Sequence, residues 1–267
     1  MAVRIAVFGA GGKVGCAIVR AIANAEGAVL AAAIERSGYP NLAADASQNA
    51  GLAASGVRVS DQRPAKGAAD VWIDFTVPAA TMANVKAATA AGAAMVIGTT
   101  GLSVADKEQI AAAAKSIPIM FAPNMSVGVN VMLKLVADAA RTLGPAYDIE
   151  IVETHHRAKR DAPSGTALRL AEVVAEASGR DLATTARYER HGDIGPRTDA
   201  EIGIQTLRGG DVVGDHTVFF LGQGDRIEIT HRASSRDTFA HGAVRAALWL
   251  AGKSAGLFDM RDVLGLE

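Results

Sequence analysis

The sequence predicts an α/β chain in which a doubly wound parallel sheet comes first and a smaller α+β domain with a mixed or antiparallel sheet follows. Three observations carry this. Short apolar runs alternate with helix-period segments as far as Phe121. After Pro123 the rhythm changes to a long helix and then to β-like runs separated by glycine turns. The chain is 49% hydrophobic but only 4% aromatic, so Ala, Val, Ile and Leu do most of the filling, and small residues let helices sit close on a sheet.

Taken in order, Val3 to Phe8 reads as a strand ended by glycines, Val14 to Ala25 as a helix, and Val29 to Ile34 as a second strand closed by Glu35. Val71 to Phe75 is a strand, Ala79 to Ala91 a helix, Met95 to Ile97 a strand, Val104 to Ser116 a helix and Ile117 to Phe121 a strand. This β-α-β-α rhythm is that of a parallel sheet with helices on both faces. Beyond Pro123, Val127 to Leu143 is a long helix, Asp148 to Glu153 an alternating strand and Thr166 to Ala177 a helix. Three β-like runs follow, Ile202 to Leu207, Val212 to Leu221 and Arg226 to His231. The glycine turns at Gly209-Gly210 and Gly222-Gln223-Gly224 between them predict hairpins. Phe239 to Lys253 is a final helix whose domain the pattern does not fix.

Composition excludes several classes. A net charge of −1 gives the whole molecule no pull toward nucleic acid or membrane. No apolar run reaches the ~18 residues of a membrane span. Met1 to Val7 runs straight into a strand-like segment, so no secretory leader is expected. Cys16 is the single cysteine, so no intramolecular disulfide forms, and it reads as a packing residue. The expected address is the cytoplasm.

Gly9-Ala10-Gly11-Gly12-Lys13-Val14-Gly15 follows the first strand and opens the first helix. Glycines there let the backbone approach a pyrophosphate, and the exposed amides of the helix start bind the anion. The spacing is G-x-x-G-x-x-G, not the strict G-x-G-x-x-G, so the position of the loop carries more weight than its pattern. Glu35 stands about 20 residues further on, where an acid holds ribose hydroxyls. Arg36 beside it suits the 2′-phosphate of NADP or stacks on adenine. Glu35 favours NAD and Arg36 permits NADP. A Rossmann-like domain that takes NADH or NADPH is therefore expected. Gly98-Thr99-Thr100 and Ala122-Pro123-Asn124-Met125 also follow strands, where open α/β sheets bind ligands. The competing reading of each is an ordinary strand-to-helix turn.

The densest chemistry is Glu153-Thr154-His155-His156-Arg157-Ala158-Lys159-Arg160-Asp161-Ala162-Pro163-Ser164-Gly165-Thr166. Its histidines, lysine and arginines repel one another unless an anion or acid lies near. Histidine exchanges protons near neutrality. Ser164 is placed to cap a helix, yet one hydroxyl satisfies one amide, which leaves amides among Gly165, Thr166 and Ala167 for a ligand. Gly165 lets that ligand come close. A substrate with more than one carboxylate fits. The competing readings are a basic surface turn and a two-histidine metal site; no further His or Cys stands at ligand spacing, so no metal is expected.

This run closely resembles the signature of the 4-hydroxy-tetrahydrodipicolinate reductase family, also called dihydrodipicolinate reductases. The resemblance continues through Val7 to Gly15, Ile73 to Thr76, Val96 to Gly101, Asn124 to Asn130, Ile229 to Arg236 and Gly256 to Leu264, and so spans nearly the whole chain. It implies NAD(P)H-dependent reduction of 4-hydroxy-tetrahydrodipicolinate in lysine and diaminopimelate biosynthesis, with hydride transfer to C4 and protonation by a His/Lys site. His155 is the implied proton donor/acceptor and Lys159 the implied proton donor. His156, Gly165 and Thr166 are implied to bind substrate carboxylates. Gly9, Ala10, Gly11, Gly12, Lys13, Val14, Glu35, Arg36, Gly98, Thr99, Thr100, Ala122, Pro123, Asn124 and Met125 are implied to hold the cofactor, with Lys13 and Arg36 near an NADP phosphate. Arg236 is expected to help fix the domains or the substrate. Met125 stands where the family also uses an aromatic, a departure that bears on nicotinamide packing. The implied organisation is a dinucleotide-binding domain of residues 1–126 and 237–267, and a substrate-binding and oligomerisation domain of residues 127–236 that forms a homotetramer through its sheet. Another imine or semialdehyde reductase, or a nucleotide-sensing regulator, are the alternative functions; a sensor has no need of the His-His-Lys loop.

Overall fold

The structure is a computed structural model that describes residues 1–266. The chain divides into two compact units, one of Met1–Val127 with the chain from Arg236 onward, the other of Gly128–Ser235.

In the first unit the elements run β1 (Val3–Phe8), α1 (Lys13–Ala23), β2 (Ala28–Ile34), α2 (Ala46–Asn49), β3 (Val59–Ser60), β4 (Val71–Asp74), α3 (Pro78–Ala91), β5 (Ala94–Ile97), α4 (Val104–Ala113) and β6 (Pro118–Phe121). The seven-stranded sheet, whose last strand the chain supplies at its C-terminal end, is parallel at every pairing, with β3, β2, β1, β4, β5 and β6 side by side in that order. Alternation along each strand explains why helices cover both faces. Ile5, Val7, Val71, Ile73 and Val96 pack with Ala17, Ile18, Ala21 and Ile22 of α1. Ala6, Phe8, Trp72, Met95 and Ile97 point the other way and pack with Val85 and Ala88 of α3 and Ile110 of α4. Phe8 and Trp72 meet ring to ring at 5.0 Å.

Helix boundaries follow local chemistry. Pro78 opens α3, where its missing N–H costs nothing, and Gly92 closes it in the left-handed conformation. Ser103 and Asp106 form a reciprocal capping box on α4. The sequence pattern missed α2 and β3, each too short to show a period. Asp45 holds that segment, accepting from the amides of Ser47, Gln48, Ser55 and Gly56.

The second unit follows with α5 (Val127–Leu143), β7 (Asp148–His155), α6 (Gly165–Ala177), α7 (Leu182–Thr185), β8 (Ala186–Arg187), β9 (Ile202–Arg208), β10 (Gly214–Leu221) and β11 (Arg226–Ala233). Its five strands lie in the order β11, β10, β7, β9, β8. β7 is antiparallel to β10 and parallel to β9. Ile149, Ile151, Ile202, Ile204, Val218 and Phe220 face Met132 and Val136 of α5 and Leu170 and Val174 of α6.

One expectation is corrected here. Gly222 to Gly224 joins the predicted hairpin of β10 and β11. Gly209-Gly210 does not join a hairpin, because β7 lies between β9 and β10. That glycine pair instead wraps the end of β7: the Gly209 N–H donates to the His155 carbonyl at 3.0 Å, and the Arg157 N–H donates to the Gly210 carbonyl at 3.2 Å.

The chain then returns to the first unit as α8 (Asp237–Leu250), β12 (Gly256–Phe258) and α9 (Met260–Leu264). α8 packs on α1 and on β4, β5 and β6, and β12 extends the sheet beside β6. Ala240, Ala243, Ala246 and Ala247 are fully buried there, small side chains that bring the helix close to the strands.

The same close approach governs Gly15 on α1. A Cβ there would stand 1.9 Å from the Gly9 carbonyl oxygen. Gly15→Ala is expected to destabilise the chain by about 1–3 kcal/mol through overpacking. A lower urea midpoint with an unchanged slope would show it.

Candidate active site

The parallel order of β2, β1, β4, β5 and β6 brings the loops after these strands to one edge of the sheet. Gly9 to Gly12 turns from β1 into α1. Gly9 takes a φ of +78°, and a Cβ on it would lie 2.5 Å from the Phe75 carbonyl oxygen. α1 starts on Gly12 with no side chain capping it, which leaves its first amides suited to an anion. Within the loop, the Gly9 and Ala10 N–H groups both donate to the Ile34 carbonyl, and Gly12 N–H donates to Gly9. Gly11 N–H donates to Glu35 Oε1 at 3.0 Å, and Arg36 N–H donates to Glu35 Oε2 at 3.1 Å. Glu35 thus ties the tip of β2 to the glycine loop and keeps lone pairs for further donors. Lys13 and Arg36 are exposed beside it. Tyr39, which the sequence pattern did not single out, lays its ring on Gly11 with its hydroxyl 3.4 Å from the Gly11 carbonyl.

Asp74, at the end of β4, is fully buried and organises the next two strand ends. It accepts from Thr76 Oγ1 at 2.6 Å, Thr81 Oγ1 at 3.0 Å, Thr99 Oγ1 at 3.1 Å and Asn84 Nδ2 at 2.7 Å. Thr99 therefore turns its hydroxyl inward, leaving its backbone and the exposed Thr100 at the edge. Ala122 and Met125 are buried, Pro123 is exposed, and Asn124 Oδ1 accepts from the Ser126 N–H at 2.8 Å.

The second unit gathers the remaining predicted residues where β7 ends and α6 begins. Ile149, Ile151, Glu153 and His155 alternate onto the buried face of β7. The Glu153 carboxylate is fully buried. His155 Nδ1 lies 2.5 Å from its Oε2. Arg208, from β9, forks onto both oxygens at 2.8 and 2.9 Å. Ser164 N–H and Thr206 Oγ1 donate to Oε1 at 3.0 and 3.2 Å. Burial works to raise the Glu153 pKa, but the bonds from Arg208, His155 and Ser164 outweigh it and hold the group below the usual carboxylate range. Lys159 Nζ donates to Asp161 Oδ2 at 2.9 Å, and Asp161 is held low by that lysine. The acids that the basic run called for are thus Glu153 and Asp161 of the same segment.

At the start of α6 the cap expected from Ser164 is present, its Oγ accepting from the Ala167 N–H at 3.1 Å. Ala167 is corrected on that account: its amide is not open to a ligand. Gly165 is exposed, with open space where a Cβ would stand, and Thr166 and His156 are half-buried. Ser164 Oγ also meets Nε2 of the buried His216 at 3.0 Å, and the His216 ring stands edge-on to His155 with centroids 5.2 Å apart. Among the described residues no group of three or more His, Cys, Asp or Glu is arranged to hold a metal ion.

The strand period alone puts Glu153 and His155 on one face, two residues apart. Arg208 and His216 carry no such signal, because only strand pairing brings β9 and β10 to β7. Burial, and then the neighbouring His155, push the His216 imidazole down to about 4. The unfolded chain takes up this proton near the ordinary value of about 6.5, so folding is expected to weaken as pH falls from there toward about 4, by roughly 3 kcal/mol. His231, also lowered by burial, slopes the same way. Urea midpoints at pH 7 and pH 4.5 should therefore diverge less in His216→Gln than in the native chain. An equal divergence would remove His216 as the group responsible.

Comparison with known proteins follows this geometry. The family description "Dihydrodipicolinate reductase, N-terminus" matches residues 3–125, and "Dihydrodipicolinate reductase, C-terminus" matches residues 128–264. The 4-hydroxy-tetrahydrodipicolinate reductase of Geotalea uraniireducens is 52% identical over 266 residues, covering 99% of this chain and 100% of the relative. That of Aromatoleum aromaticum is 56% identical over 264 residues, covering 99% and 96%. Among solved structures, the dipicolinate-bound dihydrodipicolinate reductase from Paenisporosarcina sp. TG-14 superposes with a TM-score of 0.73 at 25% identity, covering 97% of this chain and 98% of that one. With both halves matched by the family's descriptions and the full length shared with relatives above half identity, the chain belongs to the dihydrodipicolinate reductase family.

Proposed function

We propose that this chain reduces 4-hydroxy-tetrahydrodipicolinate to tetrahydrodipicolinate with NADH or NADPH, in lysine and diaminopimelate biosynthesis. The observation that carries the reading is the convergence of His155, Lys159 and the start of α6 in a member of this family. The relatives bear the activity in their names, and the Paenisporosarcina structure holds a ring dicarboxylate.

The first unit fits a dinucleotide. The uncapped start of α1 suits a pyrophosphate, and Glu35 suits ribose hydroxyls. Lys13 and Arg36 suit a 2′-phosphate, so either cofactor is accepted. Gly98 to Thr100 and Ala122 to Met125 complete the cradle for the nicotinamide half. When bound, the reduced nicotinamide supplies the hydride for C4 of the substrate. The chain's own residues do the rest. His156, Gly165 and Thr166 hold the substrate carboxylates at the helix start, where amides and the helix dipole favour negative charge. His155 and Lys159 supply the proton that neutralises charge developing on the ring, and the cations of the loop stabilise that charge before the proton arrives.

A coupled assay tests this directly. The substrate is generated from pyruvate and aspartate semialdehyde, and loss of reduced-nicotinamide absorbance is followed with each cofactor. His155→Ala and Lys159→Ala are each expected to lower kcat at least ~10²-fold, the scale of general acid catalysis. His156→Ala should act mainly on KM. Near-normal kcat in both of the first two variants would remove their assignment.

The chain is further proposed to act in the cytoplasm as a homotetramer assembled through the five-stranded sheet. Helices α5 and α6 cover one face of that sheet. The other face carries the half-buried Val152, Phe219 and Leu221 and the exposed Leu207. No helix among the described residues is long and apolar enough to cross a membrane. Native mass spectrometry should give four chains, and Phe219→Asp should give a smaller species; a monomeric native chain would overturn the assembly.

A further inference from the structure

Glu153 has a chemistry that sheet packing does not require. Its neighbours along the same face of β7 are Ile149 and Ile151, and an apolar residue in their line would bury at lower cost than an ionised carboxylate. Instead its two oxygens serve different parts of the unit. Oε2 lies 2.5 Å from Nδ1 of His155, and Oε1 takes the N–H of Ser164, the residue that caps α6, at 3.0 Å. Arg208 neutralises the carboxylate with a two-pronged bond, and its NH2 group also donates to the Asp161 carbonyl at 2.7 Å, in the loop that bears Lys159.

We propose that Glu153 is the positioning residue of the proton-exchange site: it holds His155 as the Nδ1–H tautomer, leaves Nε2 as the atom that gives and takes the proton, and fixes that atom relative to the start of α6. The proposal rests on the reading of His155 given above. Fixing one ring nitrogen with a buried carboxylate sets the role of the other, as in the carboxylate–histidine pairs of hydrolytic triads. The Arg208 charge balances Glu153 while His155 is neutral, and the carboxylate then stabilises the imidazolium when Nε2 gains a proton. In the step itself, Nε2–H breaks as a new bond to the proton forms on substrate. The imidazole returns to its neutral Nδ1–H form, and Glu153 stays ionised throughout. The charged and titratable groups of the elements packed here are Glu153 on β7, Arg208 on β9, and Asp215 and His216 on β10 with His231 beyond on β11, with Lys159 and Asp161 in the loop that Arg208 holds.

The test combines nitrogen NMR of labelled histidine with kinetics. In the native protein, without substrate, the neutral His155 ring should show a protonated Nδ1 and a bare Nε2. A protonated Nε2 with a bare Nδ1 overturns the proposal, whatever the enzyme turns over, so this arm stands apart from the functional assignment. Glu153→Gln keeps the shape and loses the charge. It should turn part of the His155 ring toward the Nε2–H tautomer and lower kcat at least ~10²-fold, with KM changed far less. Glu153→Asp, which restores the charge, should recover part of both. Combining Glu153→Gln with His155→Ala should cost little beyond His155→Ala alone, because both act through one ring. An unchanged His155 tautomer in Glu153→Gln, or full additivity in the double variant, assigns Glu153 to packing and overturns the positioning role. Should Glu153→Gln fail to fold, the native tautomer and Glu153→Asp decide the question.

Discussion

A carboxylate without solvent has to be satisfied completely, and in the Gly128–Ser235 unit that requirement shapes everything around it. Glu153 draws in an arginine and a threonine from β9, a histidine from its own strand and the capping amide of α6. Each donor removes part of the desolvation cost, and together they leave the group ionised. Since removing a partner strands the others, the arrangement acts as a unit. The end of β7, the end of β9 and the start of α6 are held in one geometry by two oxygen atoms. The loop carrying Lys159 joins them through the second bond of Arg208 to the backbone.

The other unit solves a related problem with neutral donors. Asp74 is equally buried, yet its partners are three hydroxyls, a carboxamide and a backbone amide. These come from the ends of β4 and β5 and the first turns of α3, so the carboxylate sets the edge of the parallel sheet from within. At the neighbouring strand tips Glu35 takes two backbone amides, which shapes the glycine loop without capping α1. The consequence is a division of labour among helix starts. α4 and α6 are capped by their own serines, whereas α1 starts on Gly12 with no side chain capping it.

Charge is managed on the far side of the smaller sheet as well. Arg190 grips Glu150 with two bonds and also pairs with Glu201, while Arg197 pairs with Asp148. These pairs tie the segment leading into β9 to the outer face of β7.

Much of this was legible in the chain. Period and turn chemistry placed the longer strands and helices of the parallel-sheet unit but not the short α2, β3, β12 and α9, because a strand buried on both faces and a helix striped on one leave local marks only over several residues. The glycine loop, Glu35 and the run from Glu153 to Thr166 were equally visible, being contiguous motifs. What stayed hidden was whatever depends on residues far apart. A hairpin was expected at Gly209-Gly210 because local turn chemistry says nothing of a third strand lying between. Arg208, Thr206 and His216 gave no sign of their partnership with Glu153, which exists only through the register of β9 and β10 on β7. The cap on α6 was readable, but that His216 would meet it was not. Local sequence determines which elements form and which chemical groups they carry; only strand order and register decide which of those groups share a buried carboxylate, since that energy belongs to contacts between segments and not to any one of them.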